Sequence, residues 1–166
     1  MICTIKKYIF KSVFMMALIA VVMISCATAG SQTGASDMAS RQRLYMAHLR
    51  EKGYIPSIDE DGDIFFKREG SSYFIYIERN DPSFTSILLP GIASLNSDAD
   101  RARAAAAVSF ANSNTKVAKA YISGSQDQLV TIAAEIYLEN PNDFAVLFER
   151  LMMTIDSAKE DFRSKM

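Results

Sequence analysis

Asp61-Gly62-Asp63-Ile64-Phe65-Phe66-Lys67-Arg68-Glu69-Gly70-Ser71-Ser72-Tyr73-Phe74-Ile75-Tyr76-Ile77 places two turn signals around two apolar stretches. Asp61-Gly62 follows an extended segment over 54–58, and Glu69-Gly70-Ser71 separates 64–68 from 73–77. Glycine takes positive φ without a Cβ clash, so each turn can reverse the chain within a few residues. Asn80-Asp81-Pro82 then breaks the aromatic strand, and 84–89 resumes as a fourth strand up to Pro90-Gly91. The spacing predicts an antiparallel meander.

Outward from the meander the period changes from two to 3.6. On its N-terminal side, 37–52 reads as a helix with Ser36 as cap. Met38, Tyr45 and Leu49 fall on one face, Arg41, Arg43 and Arg50 elsewhere, and Gly53 suits the left-handed residue that ends a helix. On its C-terminal side, Asn96 or Ser97 can cap a helix from Asp98, with Leu95 placed for a hydrophobic staple. Its Ala104-Ala105-Ala106-Ala107 core is strongly helix-forming and thin, which allows close approach to a neighbour. Segments 117–122 and 129–138 then form a strand pair around Ser123-Gly124-Ser125. Val130, Ile132, Ala134, Ile136 and Leu138 make one apolar face at period two. Leu129, Ile132, Ala133 and Ile136 would also align on a helix, but Gly124 favours the hairpin.

Asn140 caps the last helix, Pro141 suits its first turn, and Phe144, Phe148, Leu151, Ile155, Ala158 and Phe162 form a full-length stripe. The stripe packs on the sheet or, alternatively, seams a dimer. The predicted class is α+β: an antiparallel sheet of five to six strands with an N-terminal helix, a middle alanine-rich helix and a long C-terminal helix. A cystatin-like or NTF2-like arrangement is the runner-up.

This order resembles the YbjN family, whose fold is similar to that of type III secretion chaperones. The residues that carry the resemblance are Leu49-Arg50-Glu51-Lys52-Gly53-Tyr54, Asp61-Gly62-Asp63-Ile64-Phe65-Phe66 and Ala107-Val108-Ser109-Phe110-Ala111-Asn112-Ser113-Asn114 with Lys116-Val117. It spans about residues 37–163, and its motifs are turns and packing patterns rather than chemistry. The resemblance implies a sensory-transduction or other regulatory role, and fold relatives that bind protein segments as dimers. It implies no active site.

The front of the chain is different. Lys6, Lys7 and Lys11 precede twelve apolar residues, Val13 to Ile24, and then the small polar run Ser25-Cys26-Ala27-Thr28-Ala29-Gly30. This is the layout of a secretory signal peptide. As a helix the apolar run spans about 18 Å, against a hydrocarbon core of about 30 Å, so a permanent span is disfavoured. Met23-Ile24-Ser25-Cys26 resembles the lipobox of bacterial lipoproteins, which makes Cys26 the expected lipidation site; Ala27-Thr28-Ala29 offers an ordinary A-x-A cleavage instead. The domain expectation is a signal over 1–25, a lipidated end and flexible tether over 26–36, and one α+β domain over 37–166. The expected address is the periplasmic side of the envelope, on the outer membrane.

Cleavage after residue 25 leaves 141 of the 166 residues, enough for one core. Three of the 18 basic residues and none of the 19 acidic ones leave with the signal, so the mature charge is about −4. No basic footprint for nucleic acid remains. Cys3 would be removed, and a single cysteine makes neither a disulfide nor a thiolate metal site. Asp59, Asp61 and Asp63 suggest a calcium loop, but Ile64 stands where an EF-hand needs glycine and Gly70 where it needs glutamate. His48 is the only histidine, and no nucleophile-elbow motif accompanies it; a helix-surface role is its plain reading. Asp98 and Asp100 sit at a helix start and complement its dipole. No cofactor, metal or catalytic residue is expected.

The central strands are apolar on both faces, Ile75 and Ile77 on one, Phe74 and Tyr76 on the other, with Phe65 or Phe66 able to join either. Either this chain or a second copy covers the second face, which is the preferred reading, or Phe65, Phe74 and Tyr76 wait for a partner. The functional expectation is a non-catalytic, chaperone-like or regulatory interaction module. It would bind protein or peptide segments, with a homodimer allowed and a membrane reached through the lipid. An envelope enzyme with an unrecognised site and a passive envelope component are the alternatives.

Overall fold

Arg68 and Ser71 pair across the hairpin, and Glu69 and Gly70 between them adopt φ of 51° and 78°. Two consecutive left-handed residues make the two-residue turn whose twist matches paired strands. In the computed structural model, which describes residues 29–126 and 128–166, this turn joins β2 (Ile64–Arg68) to β3 (Ser71–Ile77). Ahead of them, β1 (Ser57–Ile58) pairs with β2 around the Asp59–Asp63 turn, closed by Asp59 N donating to Asp63 O. The expected extended segment from residue 54 thus contributes only two ladder residues. β4 (Phe84–Ser94) completes the meander.

β4 does not stop at Pro90-Gly91, where the sequence suggested an end. The strand continues to Ser94 through a register shift between Leu89 and Ala93, with Gly91 at φ 69°. A bulge takes proline out of the ladder, so the missing N–H removes no strand bond. Beyond α2 (Asp98–Asn114), β5 (Ala118–Ser123) and β6 (Leu129–Tyr137) form the expected hairpin, and β6 adds to β4. The result is one six-stranded antiparallel sheet in the order β1-β2-β3-β4-β6-β5, an α+β fold with α3 (Asp143–Arg163) last.

Helix α1 runs Ala29–Glu51, eight residues further back than expected, so the stretch read as a tether is helical from Ala29 and Ser36 lies inside the helix. Nothing in that stretch forbids helix, and propagation from a formed helix adds one hydrogen bond per residue. The chain divides into two compact units, Met1–Asp37 and Met38–Met166. Residues 29–37 are the described part of the first; the sheet and the other helices belong to the second. The predicted signal and Cys26 lie outside the described residues. Among the described residues no helix is long and apolar enough to cross a membrane.

The core lies between the helices and one face of the sheet. Phe144, Phe148, Leu151, Ile155, Ala158 and Phe162 are all buried, as the stripe predicted, and pack within the chain rather than awaiting a dimer. Phe148 meets Phe66, which stacks on its cross-strand partner Tyr73 at 5.3 Å. Asp156 of α3 receives Arg68 Nη1 at 2.8 Å, tying the helix to β2. The helix starts two residues later than the cap expected of Asn140 implies. Asn142 is the cap residue, and Asn140 Oδ1 accepts its backbone N–H at 3.1 Å. Ala104, Ala107 and Ala111 are fully buried, which lets α2 lie close against α3 and β5. Arg41, expected off the face of Met38, Tyr45 and Leu49, is buried and donates to the carbonyls of Leu138 and Glu139. It lies four residues before Tyr45, and so shares the face that docks.

Candidate functional site

Strand alternation puts Ile64, Phe66, Tyr73, Ile75 and Ile77 on the core face, all buried, and Phe65, Phe74 and Tyr76 on the other, all half-buried. The helices engage the first face only: Tyr45 reaches Thr85, Phe148 reaches Phe66, and Asp156 reaches Arg68. Among the described residues, then, no element of this chain lies over the second face. Coverage within the monomer, the first half of the preferred reading, is not provided by the described residues. The three described helices all pack on one face of the six strands.

The three residues singled out by sequence do come together. Phe65 and Phe74 are register partners with ring centroids 5.4 Å apart. Tyr76 lies two residues along the same face and donates its hydroxyl to Glu78 Oε2 at 2.6 Å. That bond raises the Tyr76 hydroxyl above its ordinary value and lowers the Glu78 carboxyl, a matched pair of shifts from one contact.

Register extends the patch beyond what the sequence analysis named. Phe74 pairs with Leu88 and Leu88 with Ala133; Tyr76 pairs with Ser86 and Ser86 with Glu135; Phe84 pairs with Tyr137, their rings 5.2 Å apart. Phe84, Ser86 and Leu88 alternate within β4, and that period of two was the signal for them. Tyr137 is 65% exposed, the most open ring of this face. The floor of the patch is small: Ser86, Thr131 and Ala133 are buried between larger neighbours. Thr131 shares a hydrogen bond with Ser123 at 2.7 Å, whereas Ser86 Oγ has no partner among the described residues. On the β5 side, Lys119 and Glu135 neutralise each other at 2.6 Å. The face is therefore aromatic, and its charges balance, Lys67 and Lys119 against Glu78 and Glu135.

The fold that presents this face has a relative among solved structures. The chain is similar to YbjN, a candidate transcription regulator from E. coli, seen in a crystal structure, at 11% identity and a TM-score of 0.56. The match covers 71% of this chain and 87% of that one. The fold is YbjN-like. No family model matches the sequence, nor does any curated protein.

Within the YbjN-like fold the other candidate groups have structural occupations. Asp59 Oδ1 accepts the backbone N–H of Asp61 at 3.1 Å and of Asp63 at 2.8 Å, so the would-be calcium loop is a self-capped turn. Burial first, then Asp59 and Asp61, push the Asp63 carboxyl above its usual range. Among the described residues no group of three His, Cys, Asp or Glu is placed to hold a metal. Asp100 accepts from Ser97 Oγ at 2.8 Å and pairs with Arg103, while Asp98 pairs with Arg101. The Ser97 bond is the main cause of the lowered Asp100 carboxyl. His48 packs edge-on to Phe144 and Phe148 rather than lying free on the helix surface.

Proposed function

We propose that this chain is a non-catalytic, regulatory or chaperone-like protein-binding module that holds a partner segment on the outer face of its sheet. The observation that carries this reading is the aromatic surface of Phe65, Phe74, Tyr76, Phe84, Leu88 and Tyr137, which no described element covers. Monomeric proteins rarely leave contiguous apolar patches beyond a few hundred Å² open to water. Six strands about 4.8 Å apart make a face roughly 24 Å across. Near-neutral charge favours an apolar stripe in the partner over a charged ligand. The YbjN-like fold supports a regulatory role by analogy with the neighbour's description.

The module works, in this reading, outside the cytoplasm. The signal-like opening ends at Cys26, where a diacyl anchor would hold the chain at the periplasmic face of the outer membrane. Two acyl chains hold far more firmly than one.

Photo-crosslinking in cells tests the binding surface. A crosslinking residue at Phe74 should trap a defined partner or a second copy, while one at the exposed Val146 on α3 should not. Phe74→Ser with Tyr76→Ser should abolish recovery in a pull-down while the fold persists. Unchanged recovery would end the sheet-binding reading, and failure to trap any specific partner would favour a passive envelope component. Mass spectrometry of the membrane fraction tests the address: acyl chains on residue 26 are expected, and a soluble chain still starting at Met1 would overturn it.

A further inference from the structure

His48, the only histidine of the chain, sits in the joint between α1 and α3. Its ring meets Phe148 at 5.5 Å and 76° and Phe144 at 5.9 Å and 89°. Three residues earlier, Tyr45 stacks on Phe144 at 3.9 Å. His48 Nε2 is buried with no hydrogen-bond partner among the described residues. The charged groups around the ring are Lys52 and Glu51 on α1 and Glu149 on α3, and Lys52 pairs with Glu149 at 3.0 Å. Tyr54, which follows α1, packs on Phe148 from the other side. The joint forms one wall of a groove of about 170 Å³, lined by His48 and Phe144 together with Leu44, Ala47, Glu51 and Pro141. It is on the helical side of the sheet, away from the aromatic face.

We propose that this joint is an acid-operated latch: a proton on His48 expels the imidazole from between Phe144 and Phe148, loosens the last turns of α1 from α3 and widens the groove. A neutral imidazole packs against aromatic edges as a largely apolar ring. The ring is half-buried, but an imidazolium has two N–H donors and no acceptor, and a proton on the buried Nε2 without a partner there destabilises the closed state. As α1 lifts, the ring gains water and comes within reach of Glu51 or Glu149, so the charged form has somewhere to go. Arg41 on the Leu138 and Glu139 carbonyls and Gln42 on Gly62 O hold the earlier turns of α1, which makes the opening local.

The direction follows from proton linkage. Burial first and Lys52 second hold the imidazole of the closed joint below its ordinary value of 6.5, against the opposing pull of Glu51 and Glu149. The closed state thus binds fewer protons than the open one, and its stability falls as pH drops below that ordinary value.

Hydrogen–deuterium exchange on the full-length chain in detergent micelles, at about pH 7.5 and about pH 5, reads the latch. Rates are corrected for the intrinsic effect of pH and referred to the α2 amides. Wild type should exchange residues 44–51 about tenfold faster at the lower pH, and H48Q should lose that step. H48K, charged at both values, should show the faster exchange already at about pH 7.5. Equal relative protection of wild type at both values, or a step retained in H48Q, overturns the proposal. So does an H48K chain as protected as wild type at about pH 7.5.

Discussion

The side-chain amide of Asn112 grips both backbone groups of Ala120: Nδ2 donates to Ala120 O at 3.0 Å, and Oδ1 accepts from Ala120 N at 2.7 Å. Ala120 is the middle of β5, the last strand of the sheet. A helix residue therefore supplies what a seventh strand would, and closes the centre of an edge that could otherwise recruit another chain. The opposite edge, β1, is only two residues long.

Replacing Asn112 with Ala should remove both bonds and cost about 1–3 kcal/mol, because a half-buried amide and carbonyl lose their partner. Chemical denaturation gives the cost, and faster exchange of the Ala120 amide localises it. Asn112→Asp keeps the acceptor but loses the donor, and should fall between the two.

Phe148 joins Phe66, Tyr54, Phe144 and His48 at the centre of the core and is fully buried. Phe148→Ala should cost about 3–5 kcal/mol in urea unfolding. Val146, two residues away and 74% exposed, should lose no more than about 0.5 kcal/mol on the same truncation.

Asp63 carries its carboxyl above the usual range through burial and the neighbouring Asp59 and Asp61. The folded state then holds the proton more tightly than the unfolded one, so the penalty is absent in acid and appears as pH rises through the folded-state value. Asp63→Asn should stabilise the protein at neutral pH, and its advantage over wild type should vanish below the ordinary aspartate range, about pH 3.9. Urea unfolding of both chains at two pH values decides it; an advantage that persists in acid would point to another cause.

Glu69 adopts φ 51° with a side chain that gains little there, since its contact with Arg68 is a solvent-exposed 3.8 Å pair. Glu69→Asn places the residue preferred at the first left-handed position of this turn and should raise stability by about 0.5–1 kcal/mol. A rise in Tm checks it.

Phe65 and Phe74 face each other on the uncovered side of the sheet. A double-mutant cycle to alanine should return a coupling of about 0.5–1.5 kcal/mol, the worth of an aromatic pair beyond its burial. Coupling near zero would mean that the rings are not held together in solution.

The sequence by itself determined the elements. Two glycine turns, a proline-broken aromatic strand, an alanine-rich helix and a phenylalanine stripe at spacings of three and four are local signals, and each produced its element. It also put Phe74 and Tyr76 on one face, because alternation within a strand is strict; that Phe65 and not Phe66 joins them follows from the pairing of β2 with β3. What it did not contain was which elements meet across long separations. Arg41 meets the carbonyls of Leu138 and Glu139, which lie 97 and 98 residues away. Phe84, Leu88 and Tyr137 joined the patch only through the pairing of β4 with β3 and β6. Pro90-Gly91 became a bulge rather than an end because β6 continued beside it. Only tertiary structure set these, and above all the side of the sheet on which three helices settled: backbone pairing makes the two faces equivalent, and the asymmetry comes from which one the helices can fill.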